Sequence, residues 1–303
     1  MKRSFWLASY PKSGNTWFRI LLANLADPGD TPININMIDS TEGIASARWR
    51  FDDHLLIESG LLANDTIDQL RPAFHAYLAE RTSDDVPDKM PVRFVKTHDA
   101  YTLNTRGEPV MGGRRGGAGV LLIVRDPRDV VSSFAHHFGQ SLDQAIGTMN
   151  NPRYRLAGDR SGQPPQLRQR LLDWSGFVAS WLDQRDIPVH LIRYEDLHQA
   201  PQVTLATALD FVGWDPGPAA IDRAIGAAAM DELQRQEARH GFGEGGIRAQ
   251  CFFRRGLAGG WRGDLNATQI ARIEQNHWPM MKRLGYSASN VNYIAIPQEK
   301  IDQ

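Results

Sequence analysis

Two periodicities meet at the start of the chain, and their junction limits what it can become. Phe5-Trp6-Leu7-Ala8 is a short continuous apolar run, and Ile20-Leu21-Leu22 to Leu25 opens an apolar periodic segment. Between them lies Ser9-Tyr10-Pro11-Lys12-Ser13-Gly14-Asn15-Thr16-Trp17. This order reads as a buried strand, a tight turn and a helix. The first N–H groups of a helix lack intrahelical partners, and its dipole is positive there, so such a turn favours an anion. Lys12 adds a full charge, Ser13 and Thr16 add hydroxyls, and Gly14 lets backbone approach a ligand. The segment is suited to a phosphate or a sulfate.

The rest of the chain repeats the alternation. Strands are expected at Phe5–Ser9, Arg93–Lys96, Val120–Val124 and Val189–Arg193. They are mostly continuous in apolar character, as in a parallel sheet covered on both faces. Helices are expected at Asn15–Leu25, Arg128–Phe138, Leu167–Arg185, Gln202–Val212, Pro218–Ala229 and Thr268–Leu284. Strands alternating with helices predict an α/β sandwich around a parallel sheet, with ligands at the carboxyl ends of the strands. Gly112–Gly117, Asn150–Pro165 and the four-glycine stretch His240–Gly246 read as loops or lids. No repeat or linker divides the 303 residues.

The formal net charge of -1 draws neither nucleic acid nor an anionic membrane, so any polyanion site must be local. The single cysteine, Cys251, excludes an internal disulfide and suits a reducing compartment. Met1-Lys2-Arg3 before Phe5–Ala8 imitates a signal peptide, but the apolar run is too short and Pro11-Lys12 interrupts it. No run approaches the ~18 apolar residues of a membrane helix.

Four further segments carry chemistry. In the first turn, Lys12 precedes Gly14 and the upstream glycine is missing, so G-x-x-x-x-G-K-[ST] does not match. No apolar run ends in a magnesium-binding aspartate. An ordinary strand-to-helix turn capped by Asn15 or Ser13 explains the same residues. After Val124 come Arg125 and Asp126-Pro127, with Asp126 as N-cap, and Ser133 follows two helical turns on. Arginine's planar fork suits phosphate oxygens and a serine can complete the site, although an Arg–Asp pair at a helix start is the plainer reading. Lys96-Thr97-His98 leaves an expected strand, and a histidine there can act as a general base, but with nine histidines one at a strand end is unremarkable. Arg254-Arg255-Gly256 leads through Gly259-Gly260 to Trp261, a turn that can wrap a phosphate with backbone and guanidinium groups. His136 and His137 read first as a partly exposed helix face, with one of them facing the acceptor as the alternative; Glu195 and Asp196 read as local caps or pairs, and Trp49, Trp174, Trp181, Trp214 and Trp278 as core.

Taken in order, these segments resemble the PAPS-dependent sulfotransferases, which move a sulfuryl group from 3′-phosphoadenosine 5′-phosphosulfate to a hydroxyl or amine. Pro11-Lys12-Ser13-Gly14-Asn15-Thr16-Trp17 is similar to the family's 5′-phosphosulfate loop. Arg125 and Ser133 resemble its 3′-phosphate site, and Lys96-Thr97-His98 its catalytic segment. Arg193-Tyr194-Glu195-Asp196-Leu197 resembles the segment whose tyrosine holds the adenosine. Arg254-Arg255-Gly256 resembles the Arg-Lys-Gly segment that returns to the 3′-phosphate. Arg255 replaces the usual lysine, Gly260 stands where soluble eukaryotic members carry aspartate, and Ala228-Ala229-Met230 falls where many have Thr-Ser-Phe packed on the adenine.

The resemblance implies a single sulfotransferase domain over 1–303: a three-layer α/β sandwich, P-loop-NTPase-like, with a central parallel sheet flanked by helices. It implies PAPS as co-substrate, PAP as product and no metal. Catalysis falls to His98, Lys12 and Lys96. Donor binding falls to Lys12, Ser13, Gly14, Asn15, Thr16, Trp17, Arg125, Ser133, Tyr194, Arg254, Arg255 and Gly256. The expected acceptor is a small molecule or natural product, in a cytoplasmic enzyme without nucleic-acid or membrane partners. Asn266–Glu274 lacks the family's short dimer motif, which leaves a homodimer open without that contact. The segments Asp27–Arg93 and Gly139–Leu167 are expected to frame the acceptor pocket. Two other functions remain: a P-loop-type kinase using ATP and magnesium, and a nucleotide-binding relative without turnover.

Overall fold

Strand β1 (Ser4–Ser9) is buried at all six positions, and its side chains divide between two cores. Trp6 and Ala8 join one apolar cluster with Val120, Leu122 and Val124. Phe5 and Leu7 join a second with Leu121 and Ile123. A strand apolar on both faces needs helices on both. The computed structural model describes residues 2–27, 29, 31–38, 43–80, 90–158, 164–244 and 251–289.

After β1 come α1 (Asn15–Ala26), α2 (Arg48–Leu55), α3 (Asn64–Glu80) and β2 (Arg93–Thr97). Next are the short α4 (Gly113–Gly116), β3 (Gly119–Val124), α5 (Pro127–Phe138) and α6 (Leu142–Met149). Two-residue strands β4 (Arg155–Leu156) and β5 (Gln169–Arg170) form an antiparallel pair. Then follow α7 (Trp174–Leu182), β6 (Val189–Arg193), α8 (Tyr194–Gln199), α9 (Pro201–Val212), α10 (Pro218–Ala227), α11 (Met230–His240), α12 (Trp261–Asp264) and α13 (Ala267–Arg283).

The main sheet runs β2-β1-β3-β6, and its pairs are parallel. Helices α5, α6, α7 and α13 supply one core, and α1, α9 and α10 the other. This is the expected three-layer sandwich. The chain leaves β1 for β2 on one side and returns to β3 on the other, so the order reverses at β1. That reversal opens a crevice at the carboxyl ends.

The strands match expectation to within a residue, and α1, α5, α9, α10 and α13 lie where periodicity put them. The expected helix Leu167–Arg185 does not form as one piece. Gln169–Arg170 pairs with Arg155–Leu156 instead. Leu172 takes φ 61, which no helix tolerates. Asp173 then caps α7, its carboxylate accepting from Gly176 N at 2.6 Å. The expected loop Asn150–Pro165 therefore contributes a strand, and Gly112–Gly117 contains one helical turn. The end of the glycine stretch, residues 245 and 246, lies outside the described residues. In α5 the cap is as expected: Asp126 accepts from Arg128 N at 2.9 Å, with Pro127 beginning the helix. In α1 it is not. Gly14 holds the cap position without a side-chain bond. Asn15 turns inward, donating to Leu7 O at 3.1 Å and Ser9 Oγ at 3.2 Å.

Candidate active site

The segments leaving β1, β2, β3 and β6 converge on one cavity of about 640 Å³, closed by residues 252–257 from the C-terminal part of the chain. Every residue singled out as a site candidate lines it, with one exception. Ser13 is fully buried, its hydroxyl has no hydrogen-bond partner, and it stands behind the wall.

The turn after β1 is shaped by two left-handed residues, Lys12 at φ 71 and Gly14 at φ 105. Gly14 is needed twice over: a Cβ there would lie 2.6 Å from Tyr194 Cδ2. The turn thus presses on the tyrosine ring that follows β6. Tyr194 in turn carries the Arg125 guanidinium, 4.2 Å above its ring. Trp17 packs against Tyr194 and His198, and its indole N–H donates to Ala228 O at 2.9 Å.

Cations crowd the floor. Lys12 Nζ sits 3.8 Å from the Phe252 ring centroid. Burial, then Lys96 and Arg125, lower its pKa to about 7, against Glu244 and Glu237. Lys96 is also lowered, first by burial and then by Arg19, with Glu244 opposing. Glu244 itself spans this group. One carboxylate oxygen lies 2.6 Å from Arg19, and the other 3.1 Å from Lys96 and 3.4 Å from the Thr16 hydroxyl. Burial raises Glu244, but Lys96 and Arg19 outweigh it and hold the carboxyl near 2.

His98 follows β2. Its Nδ1 lies 2.7 Å from Ser9 O, an atom that can only accept, so Nδ1 carries the proton. The neutral ring therefore keeps a lone pair on Nε2. Burial and then Lys96 depress its pKa to about 3, which maintains the neutral form.

Arg125 ties the cavity to the C-terminal turn. It donates to Leu257 O at 2.9 Å and Lys12 O at 3.4 Å, joining three distant segments. Asp129, one turn into α5, accepts from Gly259 N at 2.7 Å and Trp261 N at 2.8 Å, which ties the C-terminal turn to the same helix. Gly256, at φ 58, lies under Met230; a Cβ there would meet Met230 Cε at 1.9 Å. Met230 thus packs on the turn rather than lining the cavity. Arg255 pairs with Asp264 at 2.8 Å and Arg254 approaches it at 3.7 Å. Ser132 and Ser133 both line the cavity, and Ser132 Oγ is buried without a partner. Beneath, Glu195 accepts from Asp126 N at 2.9 Å and from the Tyr286 hydroxyl at 3.0 Å. It is a long-range brace, not the local pair expected, and burial and Asp126 raise its pKa to about 7.

Ile44, His137, Phe138, Leu156, Ala157 and Gln166 also line the cavity. The two adjacent histidines part company here. His136 bonds Cys251 O at 3.1 Å, whereas His137 reaches the cavity, lowered to about 4 by burial, Lys12 and Lys96. Sequence reasoning missed Arg19, Asp129 and Glu244. Asp129 carried a usable signal, since it lies one turn past Arg125. Arg19 and Glu244 meet across 225 positions, which no local pattern reveals. Among the described residues no group of three or more His, Cys, Asp or Glu could hold a metal ion, and no helix is long and apolar enough to cross a membrane.

Comparison with known proteins bears on this arrangement. The family model described as "Sulfotransferase domain" matches residues 2–285. Mouse sulfotransferase SULT7A1 complexed with PAP superposes with a TM-score of 0.56 at 15% identity, covering 93% of this chain and 85% of that one. Retinol dehydratase with androsterone and the inactive cofactor PAP gives 0.56 at 19% identity, covering 95% and 83%. Its complex with retinol and PAP gives 0.56 at 18%, covering 97% and 84%. At these identities the likeness is one of fold. No curated protein matches the chain by sequence.

Proposed function

The chain belongs to the sulfotransferase domain family, and on that premise we propose that it acts as a single domain transferring a sulfuryl group from PAPS to a hydroxyl or amine of a small-molecule acceptor. One observation carries this reading: His98, with Nδ1 fixed on Ser9 O and Nε2 left unprotonated, lines the same cavity as Lys12, Lys96 and Arg125.

The residues present fit such a donor. Glycines stand at the two closest approaches, Gly14 and Gly256, where a side chain would strike Tyr194 or Met230. The cationic side chains Lys12, Lys96, Arg125, Arg254 and Arg255 line the cavity. The buried, unpaired Ser132 Oγ beside Ser133 supplies a donor for an anion's oxygen. When bound, PAPS supplies an activated sulfuryl group on a phosphate leaving group.

His98 Nε2 accepts the proton of the acceptor hydroxyl as it attacks. Lys12, Lys96 and the N–H groups opening α1 stabilise the negative charge that grows on the leaving side. Arg125, Ser133, Arg254 and Arg255 grip the 3′-phosphate and keep the donor in register. Trp17 and Tyr194 offer aromatic surface to the adenine, which the missing Thr-Ser-Phe aromatic does not. Ser13, behind the wall, acts through the shape of the turn. Ile44, Phe138, Leu156 and Ala157 give the acceptor side an apolar face, which supports a compact, largely apolar alcohol or phenol. The retinol dehydratase structures hold alcohols of that character, androsterone and retinol. The lone Cys251 suits a reducing, cytoplasmic setting.

A kinase reading gains nothing from the turn, because Lys12 precedes Gly14 and itself takes the left-handed conformation. The test is direct. PAPS with a panel of phenols, alcohols and amines should yield PAP and a sulfated product without added metal. Adenosine 3′,5′-bisphosphate should raise the melting temperature and ATP with magnesium should not. The reverse pattern rejects the proposal.

A further inference from the structure

Glu244 lines the cavity and reaches Thr16, Arg19 and Lys96 from outside the recognised segments. Its carboxylate engages Arg19 at 2.6 Å, Lys96 at 3.1 Å and the Thr16 hydroxyl at 3.4 Å. Thr16 lies in the first turn of α1, where free N–H groups and the dipole favour an anion. Lys96 and Thr16 are two of the groups assigned above to the donor's anionic end. A carboxylate and a phosphosulfate cannot share them, because like charges at that spacing in a half-buried site repel strongly. Glu244 follows Gly241 and Gly243, which Asn36 holds from both sides: its amide donates to Gly241 O at 3.0 Å and its carbonyl oxygen accepts from Gly243 N at 2.8 Å. The segment is thus fastened where its carboxylate meets the cations.

We propose that Glu244 is an internal competitor for the anion seat formed by Thr16, Arg19 and Lys96, and that the 5′ end of the donor docks only by displacing it. The proposal rests on the donor reading above. Its consequence is selectivity: the seat accepts only an anion strong enough to evict a bonded carboxylate, while the 3′-phosphate end, on Arg125, is unaffected. The apparent affinity of a 5′-anionic ligand is reduced by the fraction of time Glu244 is out of the way.

The test is isothermal titration of the full chain and its Glu244→Gln variant with two probes, adenosine 3′,5′-bisphosphate and adenosine 3′-phosphate. A parallel melting series uses inorganic sulfate. Glutamine keeps the shape and removes the charge. Glu244→Gln should bind the bisphosphate about tenfold more tightly and gain nothing for adenosine 3′-phosphate. Sulfate should stabilise the variant more than the parent. Asn36→Ala, which loosens the segment without touching the seat, should move bisphosphate affinity in the same direction. Equal gains for both nucleotides would mean a diffuse field effect and overturn the proposal, as would unchanged or weaker bisphosphate binding. If neither protein binds the bisphosphate while sulfate still favours the variant, the competition stands and the donor reading falls.

Discussion

Lys12 makes a sharp prediction about protons. Burial, Lys96 and Arg125 lower its pKa to about 7, while Glu244 and Glu237 oppose them and the Phe252 ring faces the ammonium. An anionic ligand stabilises the charged form and raises that pKa, so binding draws a proton onto Lys12. With a free pKa near 7, binding at pH 7 should take up about half a proton, and at pH 8 about 0.9. Affinity should weaken as pH rises: about fivefold from pH 7 to 8, then nearly tenfold for the next unit, while the bound pKa stays above that range. The ligand's phosphates are already dianionic there, with a second pKa near 6, so they do not imitate the effect. Stability moves the other way. The unfolded chain binds this proton more readily than the folded one, so the protein gains stability as pH rises from about 7 towards 10.5. The assay is isothermal titration of adenosine 3′,5′-bisphosphate from pH 7 to 9 in buffers of different ionisation enthalpy, repeated with Lys12→Met. Uptake below about 0.1 proton at pH 8, or uptake that persists in Lys12→Met, refutes the reasoning.

The remaining predictions follow from the same geometry. His98→Ala should abolish sulfuryl transfer and leave bisphosphate affinity within about twofold; full turnover would show that another base acts. Because the His98 pKa lies near 3, kcat/KM should show no acidic limb near pH 6.5, and a limb there would contradict its neutral state. Gly14→Ala must place a methyl group at φ 105 against Tyr194, so the melting temperature should fall by an amount equivalent to about 2 kcal/mol or more, with nucleotide binding lost in parallel. A stable, binding-competent Gly14→Ala would mean that the turn is looser than described. Arg125→Ala should weaken binding of the bisphosphate far more than that of adenosine 5′-phosphate; equal losses would remove its assignment to the 3′-phosphate.

What could be read in the chain, and what could not, follows from the range of the forces involved. The strands announced themselves because a core that covers both faces of a sheet leaves unbroken apolar runs such as Val120–Val124. The turn after β1 was legible because its chemistry is local. Helix α3 was not, because its inward face carries Asp68, Arg71 and His75. Arg71 is paired with Asp99 at 2.6 Å, so the apolar stripe of Ile67, Phe74 and Leu78 is interrupted by buried charge. The break before α7 hinges on one left-handed residue, Leu172, whose identity gives no warning. Which of His136 and His137 reaches the cavity, and the place of Glu244, are set by which distant segment faces them.

The clamp of Asp129 on Gly259 and Trp261, with Arg125 on Leu257, bears on when the site comes into being. Lys12 leaves the ribosome long before its partners at 252–257 arrive. A growing polypeptide has the turn after β1 early but neither the closing wall nor the strap that fixes Arg125. Nucleotide capture should therefore switch on late in synthesis, after residue 261 has emerged, so that the donor cannot rescue stalled or truncated chains.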